Sequence, residues 1–371
     1  MVGMLHSEKE LQELQSYPLY IKEQLTFQRI RELCDKVGSE GFYVSFSGGK
    51  DSEVAVDFAA RSLKKIGYTK LHVLNINTGL EYLSVQKFCE PFCKYVSEKY
   101  DIDVILDIIS PHENFAKIIE LYGYPIISKE VSQCIREARK GIINADGTYQ
   151  YRLDKLNGEK KNKDGSLSQY NMSRYKFLLD IPCRVSEQCC KKTKKDPAKE
   201  YESRTGRMCM VAICTEESRL RKSKWLKHGC NAFDLKRPTS APFSFWCEND
   251  MLEYIHEEHM PIADAYGKVV AANNTGIDGQ MDMFDILGGP YKYCTTGCSR
   301  TGCLYCLFGI TQDPDRFLRL QKIEPKRAAY VLGGGQFDDD GYWIPSKKGL
   351  GLAFILDWIH EHGGIDIPYN K

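Results

Sequence analysis

The chain has 371 residues, with 51 basic and 50 acidic side chains, a formal charge of +1 and 42% hydrophobic residues. That length supports one large domain or two modest ones around a substantial core, and the near-neutral balance removes the strong electrostatic case for a general nucleic-acid binder. An ordinary apolar content also excludes disorder as the general state of the chain.

Residues 5–37 read as helical, with Pro18 as the strong breaker. Tyr43-Val44-Ser45-Phe46 reads as a short buried strand running into Ser47-Gly48-Gly49-Lys50-Asp51-Ser52, and Glu53 to Ile66 as an amphipathic helix. Leu71 to Ile76 and Ile102 to Ile108 are further strands, separated by a helix from Phe88 to Tyr100. Strands alternating with helices predict an α/β fold, a mostly parallel sheet with helices on both faces. Residues 144–172, rich in Asn, Lys, Asp, Gly and Ser, predict an exposed insertion or mobile flap. Lys191 to Lys199 carries five lysines and only Asp196 as acid; a solvated face explains that run more simply than a phosphate track. A strand is expected from Met210 to Thr215, a helix from Glu248 to Glu258, irregular chain after about 310, and a last helix from Gly351 to His360. The expected division is an N-terminal helical segment 1–37, a catalytic domain 38–310 with its insertion, and a C-terminal extension 311–371.

Fifteen cysteines cannot all pair within one chain. With no basic-then-apolar leader and no apolar run of membrane-spanning length, the sequence predicts a cytoplasmic protein with reduced thiols and no membrane span.

The sharpest local motif is Ser45-Phe46-Ser47-Gly48-Gly49-Lys50-Asp51-Ser52. Two glycines between a strand and a helix permit a tight turn with inward-facing amides, and the helix N-terminus favours an anion. Ser47 and Ser52 can donate hydroxyl hydrogen bonds, and Lys50 can add a point charge. The spacing fits neither G-x-x-x-x-G-K-[ST] nor G-x-G-x-x-G; a plain glycine turn is the alternative. The order of residues resembles the pyrophosphate loop of the adenine-nucleotide α-hydrolase superfamily. That resemblance implies a loop holding the tail of ATP or the phosphosulfate end of a sulfonucleotide, with Asn75, Asn77 and Thr78 just beyond the second strand.

Thr215-Glu216-Glu217-Ser218-Arg219-Leu220-Arg221 resembles an element of the phosphoadenylyl-sulfate reductase branch of that superfamily. By resemblance, Arg219 would clamp a phosphate, and Glu217 would orient it or help hold a metal; a surface salt-bridge cluster is the alternative reading. Pro238, Pro242, Trp246, Tyr254, Pro261 and Tyr266 extend the likeness and read as packing of the catalytic face. The resemblance thus implies Lys50, Asp51 and Arg219 as catalytic side chains. It implies nucleotide contacts from Ser45, Ser47, Gly48, Gly49, Lys50, Asp51, Ser52, Asn77, Thr78, Glu217, Ser218 and Arg219, with Mg²⁺ offsetting phosphate charge.

Cys303-Leu304-Tyr305-Cys306 is a C-x-x-C pair, Cys298 lies five positions upstream, and Cys189 and Cys190 are adjacent. Spacing leaves open an iron–sulfur cluster, a tetrahedral zinc site, or a redox-active or buried pair. The order C-C then C-x-x-C resembles the ligand set of adenylyl-sulfate reductases. It implies a [4Fe–4S] cluster on Cys189, Cys190, Cys303 and Cys306, with Cys294 and Cys298 as spare thiols and Lys292 and Arg300 screening its charge. Reductases of that branch carry a catalytic cysteine in a Glu-Cys-Gly-Leu-His element, whereas the last cysteine here is Cys306. The resemblance therefore leaves three readings. The first is attack at the α-phosphate of ATP with release of pyrophosphate, coupled to cluster-dependent sulfur transfer. The second is a divergent sulfonucleotide reductase using Cys298 or another internal thiol. The third is a non-enzymatic nucleotide- and cluster-binding partner protein. The expected partners are an adenine nucleotide, a sulfur- or electron-donor protein, a nucleic-acid or small-metabolite acceptor, and a second copy in a homodimer.

Overall fold

The computed structural model describes residues 4–140, 148–272 and 292–370. The chain forms two compact units: Met1–Asn77, Glu81–Ile109 and Ala198–Gly302 make the first, and Thr78–Leu80, Ser110–Pro197 and Cys303–Lys371 the second. In chain order the elements begin with α1 (Glu8–Ser16), α2 (Leu19–Val37), β1 (Phe42–Ser45), α3 (Lys50–Ile66), β2 (Lys70–Ile76), α4 (Leu83–Tyr100) and β3 (Asp103–Ile109). Next come α5 (Phe115–Tyr122), β4 (Ile126–Ile127), α6 (Lys129–Arg139), α7 (Thr148–Asn157), α8 (Asp196–Thr205), β5 (Met208–Met210) and α9 (Arg219–His228). They continue with β6 (Asn231–Ala232), β7 (Thr239–Ser240), α10 (Glu248–Glu257), β8 (Val269–Ala271), β9 (Tyr293–Thr295) and β10 (Leu307–Phe308).

The first unit is built on a six-stranded sheet of order β3-β2-β1-β5-β7-β6. Its pairings are parallel except for β6 against β7. This is the expected α/β architecture, and its strands are apolar because helices cover them: Phe42, Val44, Leu71 and Val73 are fully buried. The chain lays β2 and β3 on one side of β1 and β5 and β7 on the other. The carboxyl end of β1 is therefore a topological switch point, where open α/β sheets leave a crevice for ligands. Pro18 divides the amino-terminal helical stretch, since it fixes φ and lacks an N–H, and it sits as the N-cap of α2. Under α3, Phe58 packs edge-on against Phe243 and Trp246, with Tyr254 closing the cluster. The carboxylate of Asp57 is wholly buried and accepts from the hydroxyls of Tyr254 at 2.7 Å and Tyr100 at 2.9 Å.

In the second unit, β10 pairs in parallel with β4. The segment 144–172, read from its composition as an exposed insertion or flap, contains α7 at 148–157 and is exposed over 161–167; 144–147 lie outside the described residues. Leu156 is fully buried there, and the ammonium of buried Lys155 ion-pairs with Glu130. A polar composition hid a helix anchored by buried Leu156 and by ion pairs of Lys155 with Glu130 and of Arg152 with Glu137. The stretch after residue 310 is likewise ordered, with helices Arg316–Ile323, Pro325–Leu332 and Leu352–Gly363 around Phe317, Leu320, Val331 and Ile355. No helix among the described residues is long and apolar enough to cross a membrane.

The amino-terminal helices are tied to the first unit by a buried ion pair, Lys22 Nζ to Asp250 Oδ2 at 2.7 Å. Asp250 also accepts from the Cys247 amide at 2.6 Å, closing the start of α10. Removing one partner strands a buried charge, so Lys22→Met should lower the unfolding free energy by about 3–5 kcal/mol. Urea denaturation followed by circular dichroism measures this, and a loss under about 1 kcal/mol, the size of an exposed pair, would contradict it.

Candidate functional sites: a phosphate loop and a cysteine quartet

The turn between β1 and α3 has the geometry its glycines suggested. Gly48 adopts φ +70°, and a Cβ there would lie 2.7 Å from Val85 Cγ1 and 2.9 Å from Cys89 Sγ, so only glycine fits without displacing α4. Ser52 Oγ accepts from the Ser47 amide at 3.1 Å and donates to the Gly49 carbonyl at 2.7 Å, stapling the loop across its mouth. Asn75, on β2, holds the turn from below by donating to the Phe46 carbonyl at 2.9 Å. The Lys50 amide donates to the Tyr266 hydroxyl at 3.2 Å, and that hydroxyl lies 2.7 Å from Thr301 Oγ1.

Charge is concentrated around this turn. The Lys50 ammonium is buried, 2.9 Å from Asp51 Oδ1 and 3.2 Å from Glu248 Oε1. Burial alone would depress its pKa, but the two carboxylates outweigh burial and hold it above the usual lysine value. Glu248 also meets Arg300 at 3.8 Å. Arg221 is partly buried and ion-paired with Glu217; burial lowers its pKa, Cys214 and Asp51 oppose this, and the nearby Arg300 cation adds to it. Two guanidinium groups thus face the same acidic turn, an arrangement that an anion would stabilise.

Other expected residues take more structural positions. Arg219 is exposed at the first position of α9 and makes no ion pair among the described residues. Ser218 caps that helix, accepting from the Arg221 amide at 3.2 Å. Ser45 ends β1, paired with Leu74. Asn77 donates its amide to the Ile109 carbonyl at 2.8 Å, and Thr78 accepts from the Leu80 amide at 3.2 Å. Cys298 is buried and donates weakly to the Tyr82 hydroxyl at 3.8 Å. Sequence reading assigned Tyr266 to packing and gave no role to Arg221 or to Glu248 in the loop; only the local repeat of acidic and basic residues at 216–221 pointed toward Arg221.

Beneath the loop, Glu53 is fully buried. Burial pushes its pKa well above the ordinary carboxylate value, the Ala263 amide offsetting this only in part.

The second unit brings the two cysteine pairs onto one anchor. The Tyr124 amide donates to the Arg184 carbonyl, and the Ser186 amide returns to the Tyr124 carbonyl, fixing the approach to Cys189 and Cys190. Two residues on, β4 pairs with β10, which directly follows Cys306, and the Gly309 amide donates to the Ile127 carbonyl. Ile127 carries this load at φ +62°, a strained conformation for a β-branched residue. Cys189 is buried; burial first, then the charges of Cys190, Cys306 and Cys303, raise its thiol pKa. Burial and then Cys303 push Cys306 up to about 12, opposed by the Phe308 amide, which donates to its sulfur at 3.3 Å, and by Arg316. The four thiols therefore lie within electrostatic reach of one another. Even so, no three His, Cys, Asp or Glu side chains among the described residues are drawn together closely enough to hold a metal ion.

Residues 41–307 match the phosphoadenosine phosphosulfate reductase domain. The chain belongs to that family. Its matched region contains the loop, the 215–221 element and the two cysteine pairs. Solved structures similar to it include a phosphoadenylyl-sulfate reductase from Candida auris in complex with phosphate, at 12% identity and a TM-score of 0.33, covering 71% of this chain and 92% of that one. Another is the NMN synthetase from Francisella tularensis, at 13% identity and a TM-score of 0.32, covering 96% and 100%. No curated protein matches the chain.

Three outcomes follow from this geometry. Arg221→Ala should weaken nucleotide binding at least about tenfold by calorimetry, while Arg219→Ala changes it less than about threefold; equal losses would contradict the assignment of the inward guanidinium. Gly48→Ala should destabilise the fold by at least about 1–2 kcal/mol through its left-handed backbone alone, read as a lowered denaturation midpoint. Glu53 binds its proton more tightly folded than unfolded, so its contribution to stability is largest below the unfolded carboxylate pKa and is lost as pH rises towards the folded value. Glu53→Gln should accordingly flatten the pH dependence of stability above pH ~5 and raise the denaturation midpoint at pH ~8; an unchanged profile would contradict a raised Glu53 pKa.

Proposed function

We propose that the chain binds Mg²⁺-ATP at the β1–α3 turn and activates an acceptor by attack at the α-phosphorus. The observation that carries this reading is the ring of carboxylates at a phosphate loop: Asp51 and Glu248 around Lys50, Glu217 on Arg221, and Glu216 accepting from the Glu248 amide. A sulfonucleotide alone would gain little from so many carboxylates, whereas a triphosphate shared with Mg²⁺ uses them, since that ion binds through one or two carboxylates plus substrate phosphates. When bound, Mg²⁺ would offset charge on the phosphate tail. The loop amides, Lys50 and Arg221 are placed to hold the tail and stabilise charge on pyrophosphate as it leaves. An acceptor oxygen forms a bond to the α-phosphorus, the bond from that phosphorus to the bridging oxygen breaks, and pyrophosphate takes the electron pair. Sulfide sulfur from a donor protein then replaces the adenylated oxygen, and AMP leaves.

We assign the four cysteines of the second unit to a [4Fe–4S] cluster. The donor set is all sulfur, the thiols raise one another's pKa, and one sulfur already accepts an amide hydrogen bond. Such a cluster supplies sulfur handling or electrons when bound. Along the chain, Cys303 follows Thr301, which bonds Tyr266 at the loop, by two positions.

Sulfonucleotide reduction is the second reading, favoured by the family and by a thiol, Cys298, whose amide is held by the Ala265 carbonyl next to Tyr266. Anaerobically purified protein should release pyrophosphate from ATP and lose this with Lys50→Ala, while adenylyl sulfate and phosphoadenylyl sulfate yield no sulfite. Sulfite formation lost in Cys298→Ser would establish the second reading instead. Iron and acid-labile sulfide should be present in equal amounts and fall together in Cys303→Ser; stoichiometric zinc would overturn the cluster.

A further inference from the structure

The amino edge of the same sheet carries a second feature that nucleotide chemistry does not use. Gly41, Met208 and Pro238 stand at the starts of β1, β5 and β7, parallel neighbours, and the groove they floor has a volume of about 850 Å³. The phosphate loop leaves the opposite, carboxyl end of β1, so the groove is separated from it by the length of the strand. Five basic side chains line the groove, Lys36, Lys199, Arg207, Lys236 and Arg237, against one carboxylate, Glu202. That carboxylate is already taken by a two-point pair with Arg237, both contacts at 2.6 Å. Lys36, Lys199 and Lys236 are exposed and have no carboxylate within ion-pairing distance among the described residues. In a chain whose formal charge is only +1, this is a strong local excess.

We propose that this groove docks an acidic segment of a partner protein that carries an apolar anchor. Charge complementarity gives the sign of the partner, and the floor gives its class. Val37, Met208 and Pro238 are aliphatic, and the one ring, Phe233, is partly packed into the core. A single-stranded nucleic acid needs successive ring faces on which bases stack. An apolar floor with a cationic rim is instead the pattern of a protein interface, whose centre is apolar and whose charges lie at the edge. Such a partner would be held at the opposite end of the strands from the reacting nucleotide, leaving the loop open.

Fluorescence polarisation with a short labelled peptide, glutamates flanking a Leu-Phe pair, tests this in the full-length protein. The same peptide with serines in place of Leu-Phe and a labelled oligo-dT serve as the comparison probes. The account expects the Leu-Phe peptide to bind most tightly, at least about fivefold over the serine peptide. The double variant Lys36→Glu/Lys236→Glu should weaken it at least about tenfold, Lys87→Glu on α4 should not, and ATP affinity should be the same in all three proteins. Oligo-dT binding more tightly than the peptide with the same loss in the double variant would assign the groove to nucleic acid and overturn the proposal. Equal binding of both peptides, no peptide binding, or insensitivity to the double variant would also overturn it.

Discussion

A buried ammonium organises the candidate nucleotide site. Lys50 opens α3 directly after the glycine turn, and taking its charge out of water requires compensation nearby. Asp51 supplies one carboxylate from the same turn and Glu248 the other from the start of α10, so residues distant in sequence are drawn to the carboxyl end of β1. Glu248 then holds Arg300, and Glu217 holds Arg221. The result is a set of cations placed by carboxylates, where a simple anion hole would have cations alone. In the proposed function, that balance fits a metal-shared polyphosphate better than a bare sulfonucleotide.

The cysteine quartet obeys a different constraint. Neither pair is long enough to fold on its own, and both hang from Tyr124–Ile127, one through the backbone of residues 184–186 and the other through β10. A strained Ile127 at that junction is tolerated because its side chain is buried and its neighbours fix the backbone on both sides. The stretch of π-helix after Cys190, Lys191–Lys195, is a further departure from regular geometry beside these thiols. Such departures gather where a chain must aim functional groups rather than pack them.

Much of the first unit was legible in the sequence because its signals are local. The strand–glycine–helix order gave the turn, and alternating apolar strands and amphipathic helices gave the parallel sheet. Selection between Arg219 and Arg221 was not legible, because it depends on helix phase. Ser218 caps α9, Arg219 then points outward at the first position, and Arg221 reaches back to Glu217 one turn earlier. Glu248 and Tyr266 were not legible as loop partners since roughly two hundred residues separate them from Lys50; the family likeness marked Tyr266 only as packing. α7 was missed for the opposite reason: its polar composition is local, while the Lys155–Glu130 pair that anchors it is not. The cysteine pairs were legible as pairs, but their shared anchor was not.

The central claim is that the carboxylates around Lys50 exist to share a polyphosphate with Mg²⁺. Calorimetric titration of the purified protein with ATP, with and without Mg²⁺, tests it most directly, with adenylyl sulfate titrated under both conditions. The account predicts that Mg²⁺ strengthens ATP binding at least about tenfold and leaves adenylyl sulfate binding weaker and unchanged. Tight adenylyl sulfate binding without Mg²⁺, together with ATP binding that ignores the ion, would contradict it and turn the carboxylates into mere partners of a buried lysine.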